Sequence, residues 1–175
     1  MTTTVPLADA RTLGLAHYAA RGLLERVLAG HGTTFQQQVT LRAAVTAETP
    51  LTPDDLVTRV RSSLKADPAD LRATLDELTA RQLLIADGPY LRPSDAGREL
   101  LSAIGAETGP VTARVWGGIP TEDLAAAGRV LTLVTERADA ELAALEGQVA
   151  STGQDRPPMP ASSSAALASR RRTTS

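Results

Sequence analysis

Few residues in this sequence bring a chemistry of their own. Cysteine is absent and the only histidines are His17 and His31, which excludes disulfide scaffolds, thiolate zinc sites, cysteine nucleophiles and an HxxxH metal pair. The adjacent carboxylates Asp54-Asp55 and Glu122-Asp123 stand at helix starts, where the positive end of the helix dipole accounts for them without a general acid or base. A phosphate-cradling glycine loop and a GxSxG elbow are missing. Catalysis, a metal site and a cofactor are therefore not expected. With Tyr18, Phe35, Tyr90 and Trp116 as the aromatics, there are too few platforms to stack single-stranded bases. What remains is cationic chemistry, and Lys65 is the only lysine among 18 basic residues.

The charge is unevenly spread. Residues 147–175 hold four arginines and one aspartate, net +3, so the overall −2 leaves −5 on residues 1–146. A basic face is the usual footprint of nucleic-acid binding, and here the body of the chain is acidic. A length of 175 residues suits one compact domain, or a domain with an appendage. No apolar run approaches the roughly 18–20 residues of a membrane-spanning helix. The start MTTTVPLADA lacks the basic and apolar regions of a signal peptide. These features read as a cytoplasmic protein without a membrane partner.

The elements that must position the cations are mostly helical. Leu13, Ala16, Ala20, Leu23, Leu24, Val27 and Leu28 recur at helical spacing and predict a first helix over 7–29, stopped by Gly30-His31-Gly32. His31 reads as a loop residue. A second helix begins at Thr34, whose hydroxyl can cap Gln37 while Gln37 reaches back, and it carries Phe35, Val39, Ala43 and Val45 inward. Thr52-Pro53-Asp54-Asp55 is a dense start signal, followed by Leu56, Val60 and Leu64 on one face. Asp67-Pro68-Ala69-Asp70 repeats that signal, and Leu71, Leu75 and Leu78 form the next stripe. Two short helices joined by a tight turn are a helix-turn-helix. Residues 83–86 and 90–92 around Asp87-Gly88-Pro89 read as a hairpin, kept brief by Pro93. Ser94 then caps another helix through Arg98, Leu100, Leu101 and Ile104. Helix-turn-helix, hairpin, helix is the layout of a winged helix.

Gly105, Gly109 and Pro110 should kink or interrupt that fifth helix before Val111, Val115 and Trp116. Thr121-Glu122-Asp123 starts a sixth, in which Leu124, Leu131, Ala138 and Leu145 fall seven apart with Ala127 and Val134 between them. So narrow a seam wants a partner helix, and a second copy of the chain is favoured over packing within one chain. The expected dimer interface comprises Leu13, Trp116, Leu124, Leu131, Val134, Ala138 and Leu145. From residue 147 onward Ser, Pro, Gly and Ala prevail, with too few large apolar side chains to offset the entropy of ordering, which predicts disorder. The expected fold is mainly α: a winged helix-turn-helix over 33–101, an N-terminal dimerisation helix over 1–32, C-terminal dimerisation helices over 102–146, and a Ser/Pro/Arg tail over 147–175. Six helices are expected, with the hairpin wing between the fourth and fifth.

In this order of parts, residues 7–146 resemble the MarR family of winged-helix regulators. LRATLDELTARQLL, from Leu71 to Leu84, matches a recognition helix running into an Arg-x-Leu-hydrophobic strand. SDAGRELL, from Ser94 to Leu101, matches the family's Thr-x-x-Gly-x-x-Leu helix start after the wing. GIPTEDL, from Gly118 to Leu124, resembles the loop and cap before the last dimerisation helix. The sequence departs from the family in three places. Thr52 to Asp67 is about four residues longer than usual, close to one helical turn. The wing's acidic-x-Arg tip is reduced to Asp87-Gly88-Pro89 with Arg92 nearby. The recognition segment carries Asp67, Asp70, Asp76 and Glu77 against Arg72 and Arg81.

The resemblance implies a homodimer that binds double-stranded DNA sequence-specifically at palindromic operators, usually as a repressor, often released by a small aromatic or anionic effector. Carried onto this sequence, the base-reading positions are Pro68, Ala69, Asp70, Arg72 and Ala73. Arg72 can bridge guanine O6 and N7, the alanines can meet thymine methyls, and Asp70 can accept from a cytosine amino group. Equally, Asp70 can serve the helix dipole and Arg72 can pair with Asp76 one turn on. Phosphate anchoring falls to Arg59, Arg61, Lys65 and Arg92, with Arg42 a further candidate. Arg59 and Arg61, two apart, cannot share one helix face. The acidic body predicts weak nonspecific binding and a shallow salt dependence. The family's effector crevice, where the first two helices meet the winged domain, points to His17, Tyr18, Arg21, Phe35 and Arg42: an apolar wall with one or two groups to hold an anion. The alternative is a winged-helix dimer whose DNA binding is weakened or lost, acting as a ligand sensor or protein-interaction module.

Overall fold

The computed structural model describes residues 7–154, with side chains to residue 148. The elements are α1 (Ala10–Gly30), α2 (Phe35–Val45), α3 (Pro53–Leu64), α4 (Pro68–Ala80), β1 (Leu84–Asp87), β2 (Tyr90–Pro93), α5 (Asp95–Trp116) and α6 (Thr121–Gln154). This is the mainly α, winged-helix order expected. The chain divides into two compact units on either side of Gly117, the first holding α1 to α5 and the hairpin, the second α6.

Four of the helix starts read in the sequence are closed by a side-chain oxygen. Thr34 and Thr52 form capping boxes with Gln37 and Asp55, Asp67 accepts from the Ala69 amide, and Ser94 accepts from the Gly97 amide. Asp9 caps α1 by accepting from the Thr12 amide at 2.7 Å. That hydrogen bond holds the Asp9 carboxyl below its ordinary range. Such caps satisfy amides that the first turn leaves unpaired, typically stabilising a helix by about 1 kcal/mol each. Pro53 and Pro68 occupy first-turn positions, where a missing N–H loses nothing.

The core of the first unit is built by Leu41 and Ala44 of α2, Leu56, Val57 and Val60 of α3, Leu71, Leu75 and Leu78 of α4, and Leu83 and Leu84 at the wing. Burying each large aliphatic side chain contributes about 1.5–3 kcal/mol, which outweighs any single cap. Lys65 closes α3 in a left-handed conformation, φ 52°, its amide donating to the Arg61 carbonyl at 2.8 Å. The hairpin is antiparallel, with Leu84 opposite Pro93 and Asp87 opposite Tyr90. The Leu91 amide donates to the Leu51 carbonyl at 2.9 Å, which ties the segment before α3 to the wing. Gly97 explains the SDAG start of α5. Ser94 Oγ donates to the Gln82 carbonyl at 2.6 Å, and a Cβ at position 97 would run into the Leu83 carbonyl oxygen.

Three expectations are corrected. First, α2 buries Gln37, Gln38, Thr40, Leu41 and Ala44; Val39 and Ala43 are half-buried and pack against the core as expected, while Phe35 and Val45 are half-buried outside it. The neighbouring flank of α4 is itself polar, so amides rather than methyl groups fill that contact. Second, α5 is one unbroken helix through Pro110. Pro110 and Ala106 are both exposed, so water can take the carbonyl that the ring leaves without a donor. Third, α6 continues to Gln154, taking in the first eight residues of the expected tail. Once nucleated, a helix adds each further residue at little cost, and Ala, Gln and Val of this stretch oppose it less than its two glycines do. The rest of the expected tail, residues 155–175, lies outside the described residues.

Candidate nucleic-acid interface

Helical spacing sorts the side chains of α4 into two exposed sectors. Ala69, Arg72, Ala73 and Asp76 point away from the buried Leu71, Leu75 and Leu78, while Pro68 is half-buried. Asp70, Thr74 and Glu77 turn toward α2. Gln36 Nε2 donates to the Asp70 carbonyl at 3.2 Å and to Thr74 Oγ1 at 2.9 Å. Gln37 Nε2 donates to Glu77 Oε2 at 2.8 Å, and Arg81 donates to Gln37 Oε1 at 3.0 Å and to Thr33 Oγ1 at 3.5 Å. Sequence reasoning missed this network of Thr33, Gln36, Gln37, Thr74 and Arg81. Its available signal was the run Gln36-Gln37-Gln38, since three successive residues sweep about 200° of a helix and so tend to place one toward the buried side.

Two of the expected DNA-contacting cations already hold a carboxylate. Arg72 Nη2 lies 3.2 Å from Asp54 Oδ1 in the first turn of α3, rather than pairing with Asp76 on its own helix. The two side chains are 59% and 81% exposed. Arg92 Nε lies 3.2 Å from Asp87 Oδ2 across the hairpin. Lys65 Nζ donates to the Ser62 carbonyl at 2.7 Å, at the C-terminus of α3. Arg59 and Arg61 are exposed on opposite flanks of α3, and Arg42 is exposed in the last turn of α2. The set is thus distributed along α3, α4 and the wing, with Ala69, Arg72 and Ala73 presented outward and Asp70 displaced to one side.

On that side lies a crevice of about 600 Å3 between α1, the start of α2 and α4. Arg21 and Phe35 form one wall, the guanidinium carbon 4.8 Å from the ring centroid. Arg21 Nε is also 2.8 Å from Glu25 Oε1. Of the expected effector-site residues, only these two meet there. His17 and Tyr18 contact each other edge-on at 5.6 Å on an exposed stretch of α1, and Arg42 is not part of the lining. His31 is the C-cap of α1, and its Nε2 sits 2.9 Å from Glu107 Oε1 of α5.

The expected dimer residues are largely uncovered. In the first unit Leu13 is 40% exposed and Trp116 53%. In α6, Leu124 is half-buried, Ala138 is exposed, and Leu131, Val134 and Leu145 are 42%, 42% and 56% exposed.

A presented second helix, a paired hairpin and a capped helix behind them define a winged helix-turn-helix protein. No family model matches the sequence, and no curated protein matches it. Solved structures do match the fold. Staphylococcus aureus MarR in complex with salicylate and kanamycin is similar with a TM-score of 0.64 at 18% identity, covering 75% of this chain and 90% of that one. CouR from Rhodococcus jostii RHA1 bound to p-coumaroyl-CoA gives 0.59 at 18% identity, over 71% and 88%. Bordetella bronchiseptica BpsR, whose DNA binding is regulated by 6-hydroxynicotinic acid, gives 0.57 at 18% identity, over 75% and 99%. The chain has the winged-helix fold of the MarR-family regulators. Among the described residues no helix is long and apolar enough to cross a membrane, and no group of three or more His, Cys, Asp or Glu could hold a metal ion.

Proposed function

We propose that this chain is a MarR-like transcriptional regulator, a ligand-responsive repressor that binds palindromic double-stranded DNA as a homodimer. The observation that carries the reading is the outward face of α4, where the small side chains of Ala69 and Ala73 flank Arg72. Small residues let the helix approach base edges, and one guanidinium among them can form a bidentate pair with guanine. Its tie to Asp54 is an exposed ion pair, which opens at little cost. Arg59, Arg61, Lys65 and Arg92 serve the phosphates, and Asp70, on the α2 flank, serves the helix dipole more than a base. The dimer is supported by the exposed apolar side chains of α1, of the end of α5 and of α6, for which a second copy supplies matching faces. A small aromatic effector would enter the crevice walled by Arg21 and Phe35.

Selection from a library of randomised palindromes, followed by fluorescence anisotropy, tests the reading. One enriched operator is expected, with Arg72→Ala losing about 1–3 kcal/mol for each base contact removed. Failure to enrich any sequence, even at low salt, would remove the DNA-binding function. That outcome would favour the second reading, a winged-helix dimer that senses a ligand or binds a protein. The carboxylates on Arg72 and Arg92 and the net −5 of residues 1–146 support that reading.

A further inference from the structure

We propose that the crevice between α1, α2 and α4 takes a small organic cation, an amine with an apolar body, and rejects aromatic anions. The inference rests on the effector-site reading above and narrows it to a ligand class. The lining carries one basic residue, Arg21, against three carboxylates, Glu25, Asp70 and Glu77. Arg21 is already engaged twice, with Glu25 at 2.8 Å and over the Phe35 ring at 4.8 Å. That leaves Asp70 and Glu77, two turns apart on the same flank of α4. Among the described residues neither is ion-paired: Glu77 accepts from the neutral Gln37 amide, and Arg81 donates to that amide's oxygen and to Thr33.

The rest of the lining suits an apolar body. Leu28 and Ala29 of α1, Phe35, and Ala73 of α4 supply carbon surface. An ammonium group on this flank of α4 is attracted by both carboxylates and can donate to either of them. A carboxylate there would meet two like charges, while the only lining guanidinium is held by Glu25. Opposite and like charge at a partly exposed site differ enough to set selectivity. Because Ala73 borders both the crevice and the outward face of α4, a bound amine would sit beside the DNA-reading surface.

The test titrates the full chain, without DNA, against tyramine and 4-hydroxyphenylacetate, which share a ring and differ in the sign of their charge. Binding is followed by calorimetry and ligand-observed NMR. Tyramine is expected to bind about ten-fold or more tightly than the anion. The Asp70→Asn/Glu77→Gln double variant is expected to abolish that preference. These amides preserve shape, and Gln36 bonds the Asp70 backbone rather than its carboxylate, so the fold should persist. Asp70→Asn alone serves as a second variant if the double variant unfolds, and it should reduce the preference. Equal or tighter binding of the anion, binding of neither at millimolar concentration, or a preference unchanged in these variants overturns the proposal. The operator selection is separate. A cation preference without any selected operator sustains this site and removes the DNA-binding reading, and the opposite pair of results does the reverse.

Discussion

The Arg72–Asp54 pair makes a quantitative demand on any DNA-binding function. If Arg72 reads a base, it must leave Asp54, and the cost of leaving reduces operator affinity. Both side chains are more than half exposed, so the tie contributes about 0.2–1 kcal/mol, a factor of about 1.4 to 5 for each protomer. Two distant half-sites add their free energies, so Asp54→Asn should tighten operator binding by about 2- to 25-fold. The substitution spares the capping box, which uses Thr52 and Asp55, and the lost helix-dipole interaction is worth about 0.3–1 kcal/mol. Arg72→Ala should weaken binding by about 1–3 kcal/mol per half-site. The decisive quantity is the coupling, measured by anisotropy at fixed salt on the wild type, both single variants and the double variant. In the Arg72→Ala background, Asp54→Asn should retain only the small gain from removing a charge near phosphate. If Asp54→Asn tightens binding equally in both backgrounds, Asp54 merely repels the duplex and Arg72 is not the reading residue. Weaker binding in Asp54→Asn alone would refute the idea that the pair competes with DNA.

Other consequences are open to simpler measurements. If the proposed dimer forms through α6, Leu131→Glu with Val134→Glu should leave a monomer in sedimentation equilibrium and greatly reduce operator affinity; a dimer that persists would place the interface elsewhere, and a monomeric wild type would remove the dimer. Gly97→Ala should destabilise the fold by about 1–3 kcal/mol in urea unfolding, because the new Cβ meets a backbone carbonyl that cannot swing aside. An unaltered midpoint would refute close docking of α5 on Leu83. The Asp9 carboxyl is lowered by its bond from Thr12. Its cap therefore acts fully above the ordinary carboxylate range and is lost as pH falls through the lowered folded value. At neutral pH the Thr12 amide should exchange faster in Asp9→Ala than in the wild type, and the difference should vanish on acidification. A difference that persists in acid would deny Asp9 that role.

What the sequence revealed and what it concealed divide along the range of the interactions. Helix starts at Thr34, Thr52, Asp67 and Ser94 were legible because a cap and its target amide lie within three residues of one another, with a first-turn proline added at Pro53 and Pro68. The stripe Leu71, Leu75, Leu78 was legible because α4 has a core on one side only. The buried face of α2 was not, since Gln37 and Thr40 lie inward and at Gln37 this depends on Glu77 and Arg81, residues some forty positions away. Pro110 was misread as a kink or interruption for a related reason: whether the helix continues past a proline depends on the surroundings of the released carbonyl, and here Ala106 and Pro110 are exposed. Arg72 shows the same limit at the candidate site. Spacing offers Asp76 as its partner, whereas the turn at Lys65 carries α4 past the start of α3 and sets Asp54 there instead. Whether this fold still reads DNA therefore turns on a contact between two helix starts, each legible alone, whose juxtaposition only the tertiary structure discloses.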